Sequence, residues 1–132
     1  MTRIISANLN GIRSANTKGF FNWLATQNAD IVCVQELKAQ ADVVETAFAQ
    51  TTEHQGYFHY AEKKRYSGVG IYTRHTPDEV VAGFDGGEFD NEGRYVEARF
   101  GKLSVISVYC PSGSSSPERQ EAKYRFMNIF LP

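Results

Sequence analysis

The sequence predicts an α/β fold, on three observations. Its first third reads as strand, helix, strand; its middle shifts to period two; and a glycine-first two-residue turn, Gly101-Lys102, joins two alternating runs. The first strand is Arg3 to Leu9, with Ile5, Ala7 and Leu9 on one face and Ser6, Asn8 and Asn10 on the other. Gly11 and the polar stretch to Thr17 read as a turn in which Asn16 or Thr17 caps a helix. Phe20, Phe21, Leu24 and Ala25 then recur at helical spacing, as far as Gln27. Asn28-Ala29-Asp30 turns the chain into Ile31-Val32-Cys33-Val34, the unbroken apolar run of a strand covered on both faces.

A short helix is predicted over 41–50, on Val43, Val44, Ala47 and Phe48. Tyr57–Tyr60, Val69–Thr73 and Glu79–Ala82 are candidate strands, and Arg94–Phe100 and Leu103–Tyr109 flank the Gly101-Lys102 turn, which has type II′ character. A serine loop follows, with Ser116 and Pro117 opening a last helix that carries Ala122, Phe126, Ile129 and Phe130 on one face. That helix stays apolar to Pro132, so the chain reads as cut short.

At 132 residues the chain is one domain at most, and its apolar 42% and charged 22% are those of a soluble globular protein. A net charge of -1 excludes bulk electrostatic attraction to nucleic acid, so phosphates must be met by local clusters. No stretch reaches membrane-spanning length, and the start lacks the layout of a signal peptide. Cys33 and Cys110 fall in or just past strand runs and read as reduced thiols, in a cytoplasmic protein.

The chemistry-bearing residues stand where predicted strands end, the place where ligands gather in open α/β sheets. Asn8 and Asn10 close the first strand and Glu36 closes the next; Glu36 offers a carboxylate as a hard oxygen ligand for Mg²⁺ or Mn²⁺, and Asn8 or Asn10 can orient a water or phosphate oxygen. Taken singly, Glu36 is a solvated acid and Asn10 a turn residue; their joint placement on neighbouring strands points to a cation. Tyr109 ends a further strand, where a phenol can donate to a phosphate oxygen. Lys63-Lys64-Arg65 beside Tyr66, with Ser67 and Gly68 after it, suits a phosphate-tracking surface, and Arg94 is placed for a bidentate phosphate contact. His54, His59 and His75 show no ligand spacing.

In order along the chain, Asn8-x-Asn10-Gly11-Ile12-Arg13, Gln35-Glu36-x-Lys38, Tyr66-Ser67-Gly68-Val69-Gly70, Glu92-Gly93-Arg94 and Tyr109-x-Pro111 resemble the exonuclease III / abasic-site endonuclease family of the endonuclease–exonuclease–phosphatase superfamily. The resemblance runs over essentially the whole chain. It implies a four-layer αββα sandwich of the DNase I-like type, of which residues 1–132 form a single partial domain, the N-terminal half. It also implies Mg²⁺- or Mn²⁺-dependent hydrolysis of double-stranded DNA at abasic sites and 3′ ends, by an intact enzyme that is a monomer. On that reading Asn8, Glu36 and Tyr109 are catalytic, and Asn8, Asn10 and Glu36 hold the metal. Arg13, Lys38, Tyr66, Ser67, Gly68 and Arg94 lie near the DNA.

Two departures qualify the match. Ser112 and its serine loop stand where the family has an amide, and neither Asp85 nor Asp90-Asn91 supplies the family's Asp-x-Asn or Asp-His pair. The isolated chain is therefore expected to be inactive. Two alternatives remain at this point: an inositol- or lipid-phosphate hydrolase of the same superfamily, or a non-catalytic truncated interaction module with self-associating apolar faces.

Overall fold

The computed structural model of the protein describes residues 2–62, 67–83 and 92–110. The basic stretch 63–65, Tyr66, Asp85, Asp90, Asn91, Pro111, the serine loop and the last helix lie outside the described residues.

Strands β1 (Ile4–Asn8), β2 (Ile31–Gln35), β3 (Gln55–His59) and β4 (Val69–Thr73) form one sheet in the order β1-β2-β4-β3. β1 and β2 are parallel, and the other pairings are antiparallel. Strands β5 (Glu79–Ala82), β6 (Tyr95–Phe100) and β7 (Leu103–Val108) form a second, wholly antiparallel sheet. Gly101 takes φ 61 at the β6–β7 turn while Lys102 does not turn positive, as a type II′ hairpin requires.

β2 shows how the sequence makes the layers. Its apolar run faces both ways: Val32 and Val34 pack with Leu9, Ile12, Leu24 and Val44 under the helices, while Ile31 and Cys33 join Val69, Ile71, Val96, Ala98 and Val105 between the sheets. Every residue from Ile31 to Val34 is buried. Burial pushes the Cys33 thiol up to about 11. The sheets are also joined by polar groups: Ser107 Oγ donates to the Val34 carbonyl at 2.9 Å, and Gln35 Nε2 donates to Ser107 Oγ at 3.1 Å. On the helical side Tyr72 meets Phe21 and Phe58 edge-on, and its hydroxyl donates to the Phe48 carbonyl at 2.6 Å. A buried hydroxyl without such a partner would cost about 1–3 kcal/mol.

One segment differs from expectation. Residues read as a capped turn form helix α1 (Ile12–Thr17), followed by α2 (Phe20–Leu24); α3 is Ala41–Ala47. Neither Asn16 nor Thr17 caps α2, whose N-cap is Gly19 at φ 93. α1 begins without a capping side chain because its first amides have tertiary partners: Gly11 N–H donates to the Glu36 carbonyl and Ile12 N–H to the Leu37 carbonyl, both at 2.8 Å.

Candidate active site

The same two hydrogen bonds build the site. Past the ends of β1 and β2 the backbones stay stitched, with Leu9 N–H on the Gln35 carbonyl at 2.9 Å and then the Gly11 and Ile12 pairs. From the opposite flank the Gly68 carbonyl accepts Leu37 N–H at 3.1 Å and the Ser67 carbonyl accepts Lys38 N–H at 2.8 Å. Gripped on both sides, Glu36 and Lys38 take φ 53 and 52, and Leu37 between them is fully buried. A left-handed conformation costs a non-glycine residue about 1–3 kcal/mol. Asn10, Glu36, Lys38 and Ser67 all adopt it here, and among the described residues only Asn28 does so elsewhere. Strain gathered in one place and over-determined by hydrogen bonds marks a functional region.

Onto this frame the side chains converge. Tyr109, one residue past β7, donates its hydroxyl to Glu36 Oε1 at 2.6 Å. Asn8 Oδ1 accepts the Asn10 N–H at 2.9 Å, a local turn that folds the Asn8 amide over the strand end. Lys38 Nζ donates to Asn10 Oδ1 at 2.6 Å. Asn8, Asn10 and Arg13 are exposed, and Glu36, Lys38 and Tyr109 are half-buried. A shallow hollow of about 450 Å³, lined by Asn8, Leu9, Lys18, Phe20 and Trp23, adjoins the strand end. A larger cavity of about 660 Å³, lined by Phe21, Phe48, Glu53 and His54, opens among the helices and includes none of the convergent residues.

Several sequence expectations change on contact with this geometry. Asn8 and Asn10 do not share a strand face, because β1 ends at Asn8 and Asn10 turns to φ 49. The Asn10 carbonyl oxygen accepts the Lys38 ammonium, so the side chain read as a metal ligand meets a cationic group of the protein itself. Ser67, Gly68 and Arg94 are corrected as surface DNA contacts, since all three are buried and Arg94 is 1% exposed. Ser67 and Gly68 instead support the Glu36–Lys38 backbone. Arg94 points inward, its Nε on Glu92 Oε1 at 2.5 Å and an η-nitrogen on the Tyr109 carbonyl at 3.1 Å. The three histidines are engaged elsewhere: His54 bridges Thr51 and the Ala29 carbonyl, His59 meets the Tyr95 carbonyl, and His75 meets Asp30.

The donor set suits a hard divalent cation only in part. Glu36 keeps Oε2 without a hydrogen bond among the described residues, and the Asn8 amide lies at the adjoining strand end. Both are oxygen donors of the kind Mg²⁺ and Mn²⁺ prefer. Among the described residues, however, no three His, Cys, Asp or Glu side chains come together to complete a coordination shell.

Two packed sheets, helices over the outer face of one, and a carboxylate–phenol pair at the strand ends define a DNase I-like α/β sandwich, present in part. Residues 5–131 match the Endonuclease/Exonuclease/phosphatase family, and the chain belongs to it. It is 33% identical over 130 residues to an exodeoxyribonuclease of Bacillus subtilis, covering 98% of this chain and 50% of that protein. Among solved structures it resembles an AP endonuclease from Archaeoglobus fulgidus, with a TM-score of 0.81 and 28% identity over 98% of this chain and 49% of that one. A 3′-5′ exonuclease from Neisseria meningitidis gives a TM-score of 0.80 at 28% identity, over 96% and 49%. The chain spans about half the length of these relatives.

Proposed function

We propose that this chain forms one flank of a divalent-metal-dependent nuclease that hydrolyses phosphodiester bonds of double-stranded DNA at abasic sites and 3′ ends. The observation that carries the reading is the 2.6 Å hydrogen bond from the Tyr109 phenol to the Glu36 carboxylate at the strand ends. The names of the relatives, an exodeoxyribonuclease, an AP endonuclease and a 3′-5′ exonuclease, agree with it.

Glu36 would hold the cation through its open oxygen, with the Asn8 amide beside it. A bound Mg²⁺ or Mn²⁺ supplies Lewis-acid polarisation of phosphate oxygens. The chain's own groups do the rest of what this flank can do. Glu36 holds the Tyr109 hydroxyl at the site, and a phenol that turns from the carboxylate can offer its one proton to a phosphate oxygen. Lys38, steered by Asn10, and the exposed Arg13 add local positive charge where a phosphate backbone would bind.

Among the described residues no group of three His, Cys, Asp or Glu side chains forms, and catalytic groups acting as a unit fail together. Residues 1–132 alone are therefore proposed to bind metal weakly and to cleave poorly. In a Mg²⁺-dependent nicking assay on a duplex with one abasic site, the purified chain should run on the order of 10³-fold or more below the Bacillus subtilis relative. Turnover within about tenfold of that relative would refute the one-flank reading. Preference for inositol phosphates over the duplex would refute the DNA assignment.

A further inference from the structure

Glu92-Gly93-Arg94 sits beside the site without entering it, and its hydrogen bonds run toward both halves of the carboxylate–phenol pair. In one direction, the Gly93 carbonyl accepts Gly68 N–H at 3.0 Å and Ser67 Oγ at 3.3 Å. Ser67 and Gly68 in turn hold the Leu37 and Lys38 amides, so this arm ends at the backbone that carries Glu36. In the other direction, the Arg94 carbonyl accepts Tyr109 N–H at 2.9 Å, and the Arg94 guanidinium donates to the Tyr109 carbonyl at 3.1 Å. The guanidinium carbon lies 5.2 Å from the Tyr109 ring centroid, within cation–π range. Tyr109 is thus held at its amide, its carbonyl and its ring by one residue.

The turn is fixed from behind as well. Glu92 bridges to Ala61, and Gly93 takes φ 61 with its α-carbon so close to the backbone of residues 59–61 that a Cβ would lie 2.5 Å from the Ala61 nitrogen. No larger residue fits there without moving the backbone. Glu92 accepts from Arg94 Nε, which fixes the plane of the guanidinium fork.

The geometry points to Arg94 as a positioning residue, and to the Glu92-Gly93-Arg94 turn as the brace that sets the Tyr109 phenol against the Glu36 carboxylate. The guanidinium does this by stacking and donating at once, which a lysine ammonium cannot reproduce. This inference rests on the reading of Glu36 and Tyr109 as site groups, but it does not depend on which bond the intact protein cleaves.

The test uses ring-labelled tyrosine and NMR, with neither metal nor DNA present. The Tyr109 ring signal is assigned by its loss in Tyr109→Phe. In the parent protein, Glu36→Gln removes the charge beside the hydroxyl and shifts that signal. In an Arg94→Lys background, the same Glu36→Gln change should produce less than half the shift, while the buried Tyr72 signal stays in place. A cation needed only for burial would be replaced by lysine, so a full shift in Arg94→Lys overturns the inference. Should Arg94→Lys fail to fold, Glu92→Ala removes the acceptor and frees the fork while leaving the guanidinium. A reduced response there supports the brace, and an unchanged one overturns it. Preference for inositol phosphates over duplex DNA would count against the nuclease reading and leave this result standing.

Discussion

β2 is bounded by two carboxylates that meet opposite surroundings. Asp30, just ahead of the strand, is ringed by positive and donor groups: Arg3 N–H at 2.9 Å, Arg74 at 3.9 Å and His75 at 3.3 Å. Arg74 is itself shared with Glu53 at 2.6 Å. Glu36, just after the strand, has no ion pair among the described residues and takes a neutral phenol instead. Lys38 is likewise given a neutral amide. At one end charge is cancelled within the protein; at the other, opposite charges two residues apart are oriented yet left uncancelled. A partly exposed ion pair ties the chain ahead of the strand, whereas charge held by neutral partners stays available to a cation and a phosphate.

Three substitutions probe that contrast. The largest effect is expected from Glu36→Gln in a protein in which both flanks of the site are present. It keeps the shape and a hydrogen-bonding partner for Tyr109 but removes the charge, and Mg²⁺-dependent nicking should fall on the order of 10³-fold with the melting temperature little changed. A large loss of stability with retained turnover would make Glu36 another structural carboxylate like Asp30.

Lys38→Ala comes next. DNA affinity should drop about tenfold, and the slope of log affinity against log salt should flatten by about one, as for a single lost phosphate contact. An unchanged salt slope would confine Lys38 to holding Asn10.

The smallest effect is expected at the closed end. The Arg3 amide and then His75 and Arg74 hold the Asp30 carboxyl below its ordinary value. A lowered carboxyl contributes stability above its unfolded value, about 3.9, and loses it as pH falls through the folded value. Asp30→Asn should therefore melt below the parent at neutral pH, and the two melting curves should converge in acid below about pH 4. Parallel curves at every pH would remove the electrostatic account of that end.

Much of this architecture is legible in the residues themselves. β2 announces its double burial by an unbroken apolar run, and the Gly101 hairpin by its turn chemistry. Asn8, Glu36 and Tyr109 stand out because polar groups end apolar strands. What stays hidden is whatever depends on distant partners. α1 is too short to form by propensity and is started by carbonyls of residues 36 and 37. The left-handed turns at Glu36 and Lys38 leave no local mark, since neither residue favours them. Arg94 misleads for the same reason: arginine is rarely buried, and the groups that make it so at this position include a carbonyl fifteen residues on. Its neighbour Gly93 was the available signal, a glycine where only close backbone approach demands one.

Cys33 gives the molecule a built-in clock. Its sulfur lies in the apolar seam that keeps the two sheets together, and burial leaves it protonated at neutral pH. An alkylating reagent can reach it only when that seam parts, so the pace of its modification reports how often the sandwich breathes, residue by residue in time rather than in space.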